Sequence, residues 1–349
     1  MLSAILDWNE QRNQQSVLLL QSSGTQSAIP LLRHITKRVP PSGETLPQVV
    51  VVSLLYQPTL LAQLPVDGTI SIYDWTARVL GYSDDQGSIS EELLRIVSEV
   101  PKGVSLDFII DSVDTLLADI ESVSQTYKLL RQILLSIQAR SKPSRLVLHL
   151  SGDSPLVPLL VQPSFCAVPL AHAIAHPPAL LNHIFDTYLV GPPPFSPPEK
   201  FWGVFSPVVE RRAEVHGLVY GSRGIGFNHE EMVVEIVTRG NLNGARRDKN
   251  VSRILEGWSI EESRRCELED LKACKAIWSK KVLDVPSTET HHAVPFNLNL
   301  TDSQQHSRAQ VPLPYAHEGK QKEVQSTILY DPDSADDIDD DDPDEDLNI

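Results

Sequence analysis

Short continuous apolar runs alternate along this chain with longer stretches in which apolar residues recur every third or fourth position, a pattern of strands alternating with helices. Val17 to Leu20, residues 48–56 (QVVVVSLLY), 69–73 (TISIY), 106–111 (LDFIID) and 145–150 (RLVLHL) read as strands. The β-branched run at 48–56 is of the kind buried on both faces. Helical spacing runs from Ile29 to Arg38, over residues 91–100, and from Val113 through Leu130, Leu134 and Ile137 to Arg140. That last stretch reads as one long helix, and the strands that bracket it closely favour a crossover helix over a coiled coil. Leu2, Ile5, Leu6 and Trp8 form an amphipathic lead-in beside the first strand. The alternation implies a parallel sheet with right-handed crossovers.

Beyond residue 190 the pattern changes. The proline-rich segment 191–198 (GPPPFSPP) reads as a stiff exposed loop. Residues 201–210, 213–220 and 232–238 then read as strands of an antiparallel meander. Residues 246–257 begin polar and end with Val251, Ile254 and Leu255, then Trp258, at helical spacing, and 261–283 reads as a charged helix with a partial apolar seam. From Asp284 onward there is no periodicity, and the chain shows no internal repeat.

The segment from Val17 to Arg38 carries the most specific local signal: apolar strand, small-residue turn at 21–27, then helix. A P-loop occupies that context, but it needs G-x-x-x-x-G-K-[ST], with glycines aiming amides at phosphate, a lysine for the β/γ-phosphates and a hydroxyl for Mg²⁺. Here Gly24 stands alone and no lysine precedes Lys37, so the place for a nucleotide exists without its chemistry. Asp111, after Phe108-Ile109-Ile110, stands where P-loop proteins orient Mg²⁺, although Asp111 or Ser112 as the cap of the following helix is the simpler reading. Together these elements predict an α/β, RecA-like P-loop-type core with a degenerate P-loop over residues 1–258, a charged helix over 259–283 and an extended acidic tail over 284–349.

Other chemistry is sparse. His172, His176 and His183 have helical metal-ligand spacing in part, but Pro177 and Pro178 interrupt a helix there and no H-E-x-x-H is present, so they read as loop histidines. Gly221, Gly224 and Gly226 have the wrong order for a dinucleotide fingerprint and read as a turn, and no cysteine or serine sits in a nucleophile motif. The expectation is no catalytic residue, no cofactor and no metal.

Charge sharpens the picture. Of the net charge of −16, eleven negative charges fall between Asp331 and Asp346, leaving about −5 for the rest, so neither part is a general nucleic-acid binder. Against this, Arg239, Arg246, Arg247, Lys249 and Arg253 cluster in a Gly- and Asn-rich segment, equally suited to a phosphate backbone, to solvent or to a neighbouring subunit. Three cysteines without a C-x-x-C pair suggest a reducing compartment. No signal-peptide pattern opens the sequence and no apolar run approaches the ~20 residues that span a bilayer, so the expectation is a soluble intracellular protein. The acidic tail ends in Leu347-Asn348-Ile349, an apolar tip that suits a docking peptide.

Four tail segments carry a family likeness: Pro295-Phe296-Asn297-Leu298-Asn299-Leu300-Thr301, Leu313-Pro314-Tyr315, Ile328-Leu329-Tyr330-Asp331-Pro332-Asp333, and Asp342-Pro343-Asp344-Glu345-Asp346-Leu347-Asn348-Ile349. In order and spacing they resemble the carboxy-terminal signature of the fifth subunit of the Elongator complex, with Asn348 a departure from its D-P-D-D-D-L-D-I-like ending. Residues 251–259 (VSRILEGWS) also look like that family. The resemblance implies a non-catalytic, Walker-less RecA-like subunit in a hetero-hexameric ring with the fourth and sixth Elongator subunits. Such a ring binds tRNA and supports wobble-uridine modification in the cytoplasm and nucleus. Arg246, Arg247, Lys249 and Arg253 are then candidate tRNA or interface contacts, and Leu347 and Ile349 the candidate docking tip. The competing readings are an NTPase with an unconventional phosphate loop and an acidic-tailed adaptor in transcription or chromatin.

Overall fold

The computed structural model describes residues 1–7, 16–37, 48–61, 70–78, 88–166, 169–221, 228–239 and 251–284. Contacts divide the chain into Met1–Pro286 and Ser287–Ile349; the tail segments lie in the second unit, outside the described residues. The strands are β1 (Val17–Ser22), β2 (Gln48–Ser53), β3 (Ile70–Asp74), β4 (Leu106–Ile110), β5 (Arg145–Leu150), β6 (Leu170–His176), β7 (Glu231–Arg239), β8 (Val251–Ser259) and β9 (Arg264–Cys266). The helices are α1 (Leu2–Leu6), α2 (Ile29–Thr36), α3 (Pro58–Leu61), α4 (Ile89–Glu99), α5 (Val113–Ile120), α6 (Val123–Gln138), α7 (Val157–Leu160), α8 (Pro178–Tyr188), α9 (Pro198–Glu210), α10 (Arg212–Tyr220) and α11 (Lys275–Asp284).

One sheet runs β3-β2-β4-β5-β1-β6-β7-β8-β9. The first six strands of that order are parallel, and β7, β8 and β9 add on antiparallel. Both faces are covered. Val17 and Leu19 of β1 pack with α4 and α6 on one side, while Leu18 and Leu20 pack with α1 and α2 on the other. A third cluster joins Leu181 of α8 and Phe201 and Phe205 of α9 to Val233 of β7 and to Leu271 and Ile277.

Several expectations are corrected. The long helix is two: Glu121 adopts φ 57° and Ser122 caps α6, accepting from the Gln125 N–H. Ser122-x-x-Gln125 is a capping-box pattern, so the break had a sequence signal. Residues 201–210 and 213–220 are helices, not meander strands. Phe201, Phe205 and Val208 are buried at helical spacing, and the internal Pro207 disguises that period. Residues 251–259 are a strand because Ile254 and Trp258 serve one covered face while Leu255 serves the other, which erases the period of two. The charged helix is confined to α11, preceded by β9 and a 3₁₀ turn (Lys272–Cys274). The histidine-bearing segment around Pro177 is strand β6 followed by helix α8, not a loop. Pro178 opens α8 at a position where its missing N–H costs nothing, rather than preventing it.

Among the described residues no helix is long and apolar enough to cross a membrane. One buried ion pair ties the sheet to its amino-terminal helix. Arg145 donates from Nε and Nη2 to the Asp107 carboxylate at 3.0 and 2.9 Å, and from Nη1 to the Ile5 carbonyl at 2.8 Å. Arg145→Ala removes the guanidinium that neutralises the buried Asp107 carboxylate, and chemical denaturation is expected to show a loss of about 3–5 kcal/mol.

Candidate functional site

Strand β1 ends at Ser22, and the turn that follows folds back on itself. The Ser23 N–H donates to the Gln26 carbonyl at 2.9 Å and the Gln26 N–H returns to Ser23 Oγ at 3.0 Å. The Ala28 N–H donates to Ser22 Oγ at 2.9 Å and the Ile29 N–H to Ser27 Oγ at 3.2 Å. Pro30 then removes another donor from the start of α2. Amides that would face an anion at a helix N-terminus are therefore bound to side chains of the turn itself. Nothing lies within 4 Å of where a Cβ on Gly24 would sit, so this glycine serves no close approach. The turn and its helix do not fit a nucleotide triphosphate with its Mg²⁺.

His149, at the end of β5, bridges this turn to Asp111. Its Nδ1 lies 2.6 Å from the Asp111 carbonyl, which can only accept, so Nδ1 carries the proton and Nε2 accepts from the Ser22 hydroxyl at 2.8 Å. Burial pushes the His149 pKa down, which keeps the ring neutral. The Asp111 carboxylate takes the N–H groups of Leu54, Leu55 and Tyr56 at 2.7, 3.1 and 2.8 Å. Burial raises its pKa, and those backbone N–H groups oppose the rise only in part. Asp111 thus holds the loop after β2, while Ser112 is the cap of α5, accepting from Thr115 N–H at 3.2 Å.

On the other flank a cleft of about 480 Å³ lies between the turn and the α9–α10 pair. Its floor includes His176 and Ile174 of β6. His176 Nε2 donates to Glu235 Oε2 at 3.0 Å, Arg253 Nε donates to Glu235 Oε1 at 2.6 Å, and the Arg253 guanidinium sits 4.0 Å from the Trp202 ring centre. Burial would raise the Glu235 pKa, but hydrogen bonding and charge from His176 and Arg253 outweigh it and hold it at about 2. His172 Nε2 reaches Gln21 Oε1 at 2.8 Å, and burial drives its pKa down to about 4. At the lip, a Cβ on Gly152 would lie 3.0 Å from the Ser22 carbonyl oxygen, so glycine eases the close crossing of the loop after β5 over the turn.

The sequence-derived site residues separate. Arg246, Arg247, Lys249, Leu347 and Ile349 lie outside the described residues, as do most of residues 221–226. Arg253 is held in the Glu235 network and also donates to Ser206 Oγ at 2.8 Å, while Arg239 donates to the Val161 and Cys166 carbonyls. His172 and His176 belong to a strand and His183 to α8, each with its own partner, and among the described residues no group of three or more His, Cys, Asp or Glu could hold a metal ion. Burial pushes the Cys266 and Cys274 thiols up to about 11 and about 12, so neither is a thiolate at neutral pH. The sequence reading missed the Ser22–His149–Asp111 bridge and the histidine face of β6. The bridge spans 89 residues between Ser22 and Asp111 and has no local signal, but the strict alternation LAHAIAH marks β6 as a strand.

β5 stands between β1, which carries the turn, and β4, which leads into Asp111. A parallel core with one strand inserted there, flanked by helices on both faces, is diagnostic. The fold is RecA-like. No protein-family model and no curated protein matches the chain. Among solved structures it is similar to a KaiC-like protein of the hyperthermophilic archaeon Pyrococcus horikoshii OT3, at 11% identity and a TM-score of 0.37, over 69% of this chain and 89% of that one.

The buried pair His172 and Glu235 makes the RecA-like core acid-sensitive. Unfolded His172 titrates near 6.5 and folded near 4, so the unfolded chain binds more protons in that window and stability falls as pH drops through it; Glu235, lowered from 4.5 to about 2, adds a loss below 4.5. Urea midpoints are expected to decline between pH 6.5 and 4 with a contribution of up to ~1.4 kcal/mol per pH unit from His172, and His172→Gln is expected to flatten that limb.

Proposed function

We propose that this chain is a non-catalytic subunit of the Elongator complex, one RecA-like member of a hetero-hexameric ring with the fourth and sixth subunits. In this reading the ring binds tRNA and supports wobble-uridine modification whose chemistry belongs to another subunit, in the cytoplasm and nucleus. The observation that carries the reading is a RecA-like core whose phosphate turn lacks a lysine and turns its Gln26, Ala28 and Ile29 amides onto its own side chains. It is paired with a tail whose motifs between Pro295 and Ile349 follow the order of the Elongator fifth-subunit signature.

An NTPase is disfavoured by the same geometry. The turn offers no lysine, and the Asp111 carboxylate is occupied by three backbone N–H groups, so neither transition-state charge nor a metal is served. Asp111→Ala is expected to lower stability by about 2–4 kcal/mol, because three amides lose their acceptor, while leaving the background level of Mg²⁺-dependent ATP hydrolysis by the isolated chain unchanged. A hydrolysis rate that Asp111→Ala abolishes would restore the enzyme reading.

Co-expression with the fourth and sixth Elongator subunits tests the ring directly, and the expected mass is that of two copies of each chain. Reversing Arg246, Arg247 and Lys249 to Glu is expected to weaken tRNA binding by that assembly at least about tenfold, with a shallower salt dependence. Arg253 is excluded from this set because its guanidinium belongs to the Glu235 network. A chain that stays monomeric beside both partners sinks the proposal.

A further inference from the structure

At the end of β1 a hydroxyl, a neutral imidazole and a fixed carbonyl stand in line. Ser22 Oγ lies 2.8 Å from His149 Nε2, and His149 Nδ1 lies 2.6 Å from the Asp111 carbonyl. That carbonyl is held in place, because the Asp111 carboxylate takes the N–H groups of Leu54, Leu55 and Tyr56. The imidazole therefore keeps the tautomer whose lone pair faces the serine, and burial keeps it neutral. On its other side Ser22 Oγ accepts the Ala28 N–H at 2.9 Å, at the N-terminus of α2, where negative charge growing on that oxygen is favoured. Ser22 is half-buried, and its neighbours Gln21 and Ser23 line the cleft. Among the described residues the Gly24 and Thr25 N–H groups of the same turn take no partner, which leaves them free for an oxyanion.

Nucleophile, base and a group orienting the base are the parts of an activated serine. A phosphate ester does not suit them, since the turn has no lysine and Asp114 places negative charge near the ring. We infer that Ser22 is an acyl-accepting nucleophile, with His149 as its base, and that the chain hydrolyses small neutral carboxylic esters. Ser22 Oγ attacks the ester carbonyl carbon and its proton passes to His149 Nε2, while Nδ1–H stays on the Asp111 carbonyl. The C–O bond of the ester then breaks, and the proton on Nε2 leaves with the alcohol. Water attacks the acyl-serine and gives a proton to Nε2, which returns it to Oγ as the carboxylic acid departs. The inference rests on this geometry alone and holds whether or not the chain is a ring subunit.

The test uses the full chain with p-nitrophenyl acetate and, separately, with a fluorophosphonate probe whose attachment site is read by mass spectrometry. The probe is expected on Ser22 of the native chain and not on Ser22 of a chain unfolded in urea before labelling. Release of p-nitrophenolate is expected to exceed that from the unfolded chain and to fall to its level in Ser22→Ala. His149→Asn keeps a donor for the Asp111 carbonyl but removes the base, and is expected to slow labelling at least about a hundredfold. Circular dichroism establishes that each variant is folded, and the label on the native chain depends on no variant. The inference is overturned if the native chain carries no label at Ser22, if folded Ser22→Ala hydrolyses the ester as fast as wild type, or if folded His149→Asn labels at the wild-type rate.

Discussion

The carboxyl edge of the parallel sheet depends on one neutral histidine. An apolar sheet covered on both faces concentrates its polar groups at the strand ends, and those groups need partners there. His149 supplies them, accepting from the Ser22 hydroxyl and donating to the Asp111 carbonyl, so that β1, β5 and the end of β4 are locked in register. The Asp111 carboxylate extends the chain of bonds to the loop after β2. Protonating His149 would leave Nε2 without a lone pair for the Ser22 hydroxyl, and burial disfavours that state.

This bridge stands at the carboxyl edge beside the β1–α2 turn. Its members are bonded to one another, and the Gln26, Ala28 and Ile29 amides of the β1–α2 turn are bonded to side chains of that turn. These bonds tie β1, β4 and β5 together at the sheet edge. The second polar network, from His176 through Glu235 to Arg253 and Trp202, does the same for the antiparallel extension, pinning β6, β7, β8 and α9 together. Arg253 has an internal partner of its own. Next to Arg246, Arg247 and Lys249 in sequence it reads as part of a nucleic-acid patch, yet strand β8 points it at a buried carboxylate.

Legibility followed the range of the forces. β1, β2, β4 and β5 were readable because burial on both faces demands continuous apolar runs, and α2 and α4 because one covered face demands helical spacing. Beyond β5 only β7, expected over residues 232–238, was read as the strand it is. β6 is built of Ala and His rather than large apolar residues, α9 carries valines and an internal proline, and β8 places apolar residues on both faces. In α9 and β8 the local pattern was compatible with two periods, and the neighbouring layer chose between them.

The sequence by itself determined the RecA-like class, through its alternating runs, and determined that the phosphate turn lacks lysine and paired glycines, because both are matters of residue identity. It also carries the tail motifs, whose order needs no fold to be read. Only the tertiary structure decided that Asp111 grips a loop, that His149 joins two strands, and that a cleft opens beside the turn. Those contacts join residues far apart in the chain, and a hydrogen bond leaves no trace in sequence spacing when its partners meet only through the sheet.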